Sequence, residues 1–166
     1  APGSPEEWSV DVNLKGTYNI LLASNDEGVE RFIYPSTMSI YDGNWPKEGE
    51  VFDETVPPVP KGHYSLTKYL GEEMVRCFAQ AEGLSAVCLR LTGVTDPDTW
   101  ERIRAEPGDH YGATHADDVG RAFRLALERP GLSGEILNIC GDSPTCRWSY
   151  RRAHEVLGYA PEHRLS

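Results

Sequence analysis

The sequence predicts an α/β fold, a parallel sheet whose strands are joined by helical crossovers. Three observations carry this. Short continuous apolar runs lie at residues 31–34, 85–91 and 135–140, helical patterns alternate with them, and turn-forming residues mark the junctions. Unbroken apolar runs read as strands buried on both faces, the pattern that helices packed on a parallel sheet produce. At 166 residues the chain suffices for one domain with an ordinary core.

The elements follow in order. Ser4-Pro5-Glu6-Glu7 is a helix start: a serine cap, proline at the first helical position and glutamate three residues after the cap. This helix is predicted to run to about Ser24, ended by Asn25-Asp26-Glu27-Gly28. Arg31 to Tyr34 is a short strand bounded by Pro35, and residues 42–60 form a loop rich in glycine, proline and acid. A second helix covers about 62–82 and stops at Gly83. Ser85–Leu91 is a strand, 92–114 is irregular, and His115–Glu128 is a helix closed by Pro130-Gly131. Glu135–Cys140 is the third strand, and a last helix near 146–157 ends at Gly158.

The net charge of −10, with no lysine or arginine run, argues against a nucleic-acid partner. No apolar run approaches the ~18 residues of a membrane span, and no signal-peptide pattern opens the sequence. No membrane partner is therefore expected, and cysteines without disulfide or C-x-x-C spacing make a reducing, cytoplasmic setting the default expectation. Cys77, Cys88 and Cys140 sit in apolar patterns and read as reduced core residues, whereas Cys146 has no such pattern. The five histidines are scattered, so no metal site is predicted. Trp8, Trp45, Trp100 and Trp148 read as packing residues.

The segment with most chemical content is Gly62 to Glu73, in which Tyr64 and Lys68 stand four residues apart on one helix face. A phenol of ordinary pKa near 10 is only ~0.1% ionised at neutral pH. An ammonium one turn away favours the phenolate and makes the phenol a usable acid and base. With eight tyrosines and four lysines in the chain, the spacing alone is a weak signal.

The order of the other motifs adds to it. Asn13-Leu14-Lys15-Gly16-Thr17 lies in the first helix, and Tyr34-Pro35-Ser36-Thr37-Met38-Ser39 puts hydroxyls directly after a strand. Next come Tyr64 and Lys68, the strand end Leu89-Arg90-Leu91, then His115-Ala116-Asp117-Asp118, and Gly134 to Asn138. This ordered set resembles the extended short-chain dehydrogenase/reductases, the NAD-dependent epimerase/dehydratase family, over essentially the whole chain.

The resemblance implies a Rossmann-type sheet, here the C-terminal half of a doubly wound fold. It assigns Tyr64 as the catalytic acid/base and Lys68 as the lysine that lowers the phenol's pKa and bonds the nicotinamide ribose. It assigns Thr37, with Ser36 as the fallback, to orienting the substrate oxygen, and Asn13 to holding a water of the proton relay. Tyr34, Pro35, Leu91, Gly93 and Val94 fall where the family's backbone passes the nicotinamide half of NAD or NADP. Simpler readings stand beside these. Asn13 is also a plain helix polar residue, Thr37 a turn hydroxyl, His115 a cap-region histidine, and Asp117 and Asp118 first-turn acids.

In family terms the sequence opens just after the fourth strand, and the glycine-rich turn that holds the pyrophosphate has no counterpart in residues 1–166. On the order of seventy residues of β-α-β structure are absent on that reading. Two or three charge-assisted hydrogen bonds of roughly 1.5–3 kcal/mol each would go with them, weakening dinucleotide binding about a thousandfold or more. The first strand would become an apolar edge. The helices near 5–24 and 62–82 match those that form a four-helix bundle between two subunits of the family, so a homodimer is expected.

About twenty residues separate Val94 from His115, too few for a lobe over a nucleotide sugar. Gly93 replaces the family's common asparagine. Both departures point to a small sugar-type substrate, such as a sugar acid or lactone, as in the uronate-dehydrogenase-like branch. The alternative is a non-catalytic fragment of such an enzyme, acting as a dimerising scaffold.

Overall fold

Helices and short strands alternate through the computed structural model, which describes residues 8–106, 108, 110 and 112–165. The expected helix start at Ser4-Pro5 lies outside the described residues. The chain is already helical at Trp8, and Val10–Gly16 is wound as a π-helix that continues as the α-helix Thr17–Asp26; together these are α1. Strand β1, Phe32–Thr37, runs on through Pro35 instead of stopping before it. The sheet order explains this: β1 is an outer strand, where a missing N–H is tolerated. A 3₁₀ turn, Met38–Tyr41, follows, and the Thr37 hydroxyl caps it by accepting from the Ser39 amide.

Helix α2 spans His63–Ala81, and strand β2 is Ala86–Leu91. The segment expected to be irregular, 92–114, contains a two-residue strand β3, Val94–Thr95, and a helix α3, Pro97–Ala105. Asp96 caps α3, accepting from the Thr99 amide at 2.9 Å, and Pro97 holds the first turn. The Asp96-Pro97 pair was thus a start signal that the polarity of the segment obscured. Strand β4, Thr114–His115, pairs parallel with β3, and helix α4, Ala116–Glu128, follows with His115 as its cap.

Strand β5 is Glu135–Ile139, and the last helix, α5, is Arg151–Leu157. The start of α5 falls five residues later than the predicted 146. The backbone of 147–149 is taken up by Phe52, whose N–H donates to Arg147 O and whose carbonyl accepts from the Ser149 amide, both at 2.9 Å. Gly158 ends α5 at φ 74°, the left-handed conformation glycine adopts without strain.

The main sheet is parallel, with strand order β1-β2-β5. The described residues fall into two compact units. One holds the chain as far as Trp45 with Pro57–Leu89 and Pro130–Ile136; the other holds Pro46–Val56, Arg90–Arg129 and the chain from Leu137. In the first, Leu21, Tyr34, Val75, Ala79, Leu84, Ala86 and Cys88 form the core. In the second, Trp100, Ala113 and Leu165 form one cluster, and Trp148 is buried as well. Trp8 and Trp45 depart from the packing role predicted for them, at 53% and 40% exposed. Cys77 is exposed too, because its position on α2 faces away from that core.

Asp118, predicted only as a first-turn acid, organises part of the second unit. Its buried carboxylate accepts from the amides of Glu162 (2.9 Å) and His163 (3.0 Å), from His163 Nδ1 (3.1 Å) and from Arg121 (3.2 Å). Burial pushes this carboxyl up, and the hydrogen bonds outweigh burial to leave it below the ordinary range. His115 and His163 stack with centroids 3.8 Å apart and planes at 12°, and Trp100 meets both edge-on. Their ligating atoms lie within 4.8 Å of one another and of Asp117. His115 Nδ1 already accepts from the Asp117 amide at 3.2 Å, and His163 Nδ1 already meets the Asp118 carboxylate. Among the described residues no helix is long and apolar enough to cross a membrane.

Candidate active site

The site in the first unit is built around the N-terminus of α2. Its cap residue, Gly62, has no side chain, and Asp42, twenty residues away, binds the backbone entering the helix and one hydroxyl of the first turn. The Asp42 carboxylate accepts from Lys61 N at 2.5 Å, Gly62 N at 3.0 Å and Ser65 Oγ at 2.7 Å. Burial opposes the ionised form of Asp42, but these bonds prevail and hold its carboxyl below the usual range. The turn bearing Tyr64 is therefore fixed at its start. The Tyr64 side chain is 51% exposed.

A second brace reaches this turn from α1. Asn13 Nδ2 donates to Thr67 Oγ1 at 3.1 Å, and Thr67 Oγ1 donates to the Tyr64 carbonyl at 2.9 Å. Asn13 sits in the π-helical stretch, a winding that frequently marks functional sites. The residue assigned to a proton relay thus also secures the backbone of the proposed acid/base.

Lys68 is tied to β1. Its ammonium donates to the Pro35 carbonyl and lies 4.2 Å from the centroid of the Tyr34 ring. Burial lowers the Lys68 pKa, and the charge of Glu72, one turn further along α2, works against that lowering. Glu72 is fully buried and accepts a 2.5 Å hydrogen bond from Ser36 Oγ. The Ser36 proton is thereby directed into the interior. Thr37 is half-buried at the end of β1, and its hydroxyl contacts Ser39, accepting from the amide and donating to Oγ, each at 3.1 Å.

Tyr34 links these groups. Burial pushes its phenol well above the ordinary range, and the charges of Glu72 and Tyr64 push in the same direction. Its hydroxyl packs against Gly71, where a Cβ would lie 2.1 Å from it; α2 approaches β1 this closely because residue 71 has no side chain. The structure thus groups Pro35, Tyr34, Lys68 and Glu72, and separately ties Asn13 to the Tyr64 turn. No hydrogen bond joins Tyr64 to Lys68 or to Thr37 among the described residues.

Leu91, Gly93 and Val94 belong to the second unit. Leu91 ends β2 and is half-buried. The exposed Gly93 accepts from the Thr114 amide at 2.9 Å, and Val94 opens β3 at 48% exposure. Of the residues not foreseen, Glu72 and Thr67 had a legible signal, standing four after Lys68 and three after Tyr64 on one helix. Asp42, in a loop of glycine, proline and acid, had none.

Residues 4–104 match the NAD dependent epimerase/dehydratase family. Among curated proteins, the uronate dehydrogenase of Pseudomonas syringae pv. tomato is 27% identical over 158 residues, covering 95% of this chain and 54% of the relative. Among solved structures, a mutated uronate dehydrogenase superposes with a TM-score of 0.81 at 21% identity, over 99% of this chain and 56% of that one. The UDP-glucuronic acid 4-epimerase of Bacillus cereus in complex with NAD gives 0.77 at 23% identity, over 99% of this chain and 67% of that one. The chain spans about half the length of the curated relatives it matches.

Proposed function

The chain belongs to the NAD dependent epimerase/dehydratase family, and on that premise we propose NAD(P)-linked oxidoreductase or epimerase chemistry on a small sugar acid, with Tyr64 as the acid/base. The observation that carries this reading is the first turn of α2. Asp42 and the Asn13–Thr67 pair secure its backbone and leave the phenol exposed, one turn from an ammonium anchored on β1.

The residues present fit the nicotinamide half of a dinucleotide. An ammonium has three donors, and Pro35 O takes one of those on Lys68, so the others suit a ribose diol. The backbone of Tyr34 and Pro35 would flank the same half. Leu91, Gly93 and Val94 are assigned to the cofactor by the family resemblance alone. A bound nicotinamide would supply the hydride acceptor or donor. Tyr64 would exchange the proton of the substrate oxygen, and the Thr37 hydroxyl, with a lone pair free of Ser39, would orient that oxygen. Lys68 would bind the ribose, and Asn13 would hold the turn while its amide oxygen remains for a relay water.

A sugar acid as substrate is supported by the uronate dehydrogenase relative and by glycine at position 93. To test it, the chain is offered NAD or NADP with free hexuronic acids and, separately, with UDP- and dTDP-sugars, and nicotinamide absorbance is followed. Turnover of a free sugar acid is expected. Turnover of nucleotide sugars alone would refute the assignment.

The second reading is a non-catalytic dimerising module, and an apolar groove of about 710 Å³ between α1 and α2, whose walls include Tyr18, Leu70, Met74 and Phe78, would serve it. Val12 and Ile20 on α1 are 69% and 60% exposed. Apolar surface of this extent suits a second copy of the chain under either reading. Fluorescence titration with NADH separates them: saturation at tens of micromolar would eliminate the scaffold reading.

A further inference from the structure

Two cysteines in the second unit form a site that the proposed chemistry does not use. Cys140 follows β5 and is fully buried; Cys146 is half-buried, after the turn Gly141–Thr145. Both thiols reach one acceptor, the Trp148 carbonyl, at 3.4 Å from Cys140 Sγ and 3.3 Å from Cys146 Sγ. The single S–H of Cys140 can turn from this carbonyl to donate to Cys146 Sγ. The acceptor is fixed in place, since Trp148 is 3% exposed and its two chain neighbours are hydrogen-bonded to Phe52.

Room for the second sulfur comes from Gly112, at φ 78°, where a Cβ would stand 2.6 Å from Cys146 Sγ. On its other side Cys146 lines a polar cavity of about 410 Å³ together with Thr145, Arg147 and Glu50. One thiol of the pair is therefore open to a small polar reagent and the other is shielded behind it.

The two sulfurs are chemically unequal. The hydrogen bond from Cys140 holds the Cys146 thiol below the ordinary range, although burial opposes this. The same bond, with burial, pushes Cys140 up. The attacking thiolate is thus the one that faces the cavity.

We propose that Cys140 and Cys146 are a peroxide-oxidisable dithiol, with Cys146 as the attacking and Cys140 as the resolving sulfur. The Cys146 thiolate attacks one oxygen of hydrogen peroxide; an S–O bond forms, the O–O bond breaks, and the departing hydroxide takes a proton to become water. Cys140 then attacks the Cys146 sulfur. The S–S bond forms, the S–O bond breaks, and the released hydroxide with the Cys140 proton becomes the second water. Two thiols lose two electrons and one peroxide becomes two waters.

The test is oxidation of the reduced chain with one equivalent of hydrogen peroxide at neutral pH, followed by intact mass and peptide mapping. Of the four free thiols two should remain titratable, the mass should fall by about 2 Da, and the map should link Cys140 to Cys146, reversibly with dithiothreitol. With Cys140→Ser, oxidation should stop at a sulfenic acid on Cys146 that dimedone traps. With Cys146→Ser, oxidation should slow at least tenfold. A crosslink through Cys77 or Cys88, a sulfenic acid that persists on wild-type Cys146, or four intact thiols would overturn the proposal. The wild-type map decides the matter even if either variant misfolds.

Discussion

At the scale of single residues, the site depends on how α2 distributes charge. Lys68 is held between burial, which disfavours its ammonium, and Glu72, which favours it. Replacing Glu72 with glutamine keeps the shape and removes the charge. The Lys68 pKa is then expected to fall, read from the pH titration of its ε-carbon signal by NMR. An unchanged Lys68 titration would mean that Glu72 serves packing alone. Tyr64 is expected to carry the proton transfer, so Tyr64→Phe should lower turnover by about 10²–10⁴-fold and leave the circular dichroism spectrum unaltered. The exposure of the Tyr64 side chain makes a folding defect an unsuitable explanation for such a loss.

Elements show best what the sequence made legible. Helix α2 was evident from 62–82 because its apolar spacing, its glycine before the start and the glycine after it agree, and it spans His63–Ala81. Strands β1, β2 and β5 were evident from their apolar runs. Helix α3 was not, because only Trp100 and Ile103 join a core cluster and charged residues fill most of the rest of the helix. The start of α5 was misplaced because Cys146 to Trp148 is apolar enough to extend a helical pattern, while its backbone is claimed by Phe52. In the site, Tyr64 and Lys68 could be read from spacing, whereas the supports from Asp42 and Asn13 cross 20 and 54 residues of chain, which local pattern does not encode.

Two predictions belong to this scale. Gly71→Ala gains up to ~1 kcal/mol of helix propensity. It also places a methyl 2.1 Å from the buried Tyr34 hydroxyl, a clash of the kind that costs about 1–3 kcal/mol. A net loss of stability in urea is expected, reduced when Tyr34→Phe is added. For Asp118 the folded-state pKa is depressed, so the carboxylate contributes stability above the unfolded value near 3.9, and this is lost as the pH falls through the folded value. Asp118→Asn should flatten the acid limb of the stability curve. A steep limb surviving in the variant would assign the acid sensitivity to other carboxylates.

The whole molecule presents an apolar surface on α1 and α2, and a second copy of the chain is its expected cover. Leu70→Asp, at 38% exposure on the groove, should shift sedimentation from dimer to monomer at micromolar concentration. A wild-type chain that already sediments as a monomer would remove the dimer from the account. The central claim, that Lys68 and its neighbours hold the nicotinamide half of a dinucleotide, is tested most directly by saturation-transfer NMR with NAD. Transfer to the nicotinamide and its ribose should exceed transfer to adenine, and Lys68→Ala should abolish it. Adenine-weighted transfer, or a spectrum identical in the two proteins, would contradict the claim.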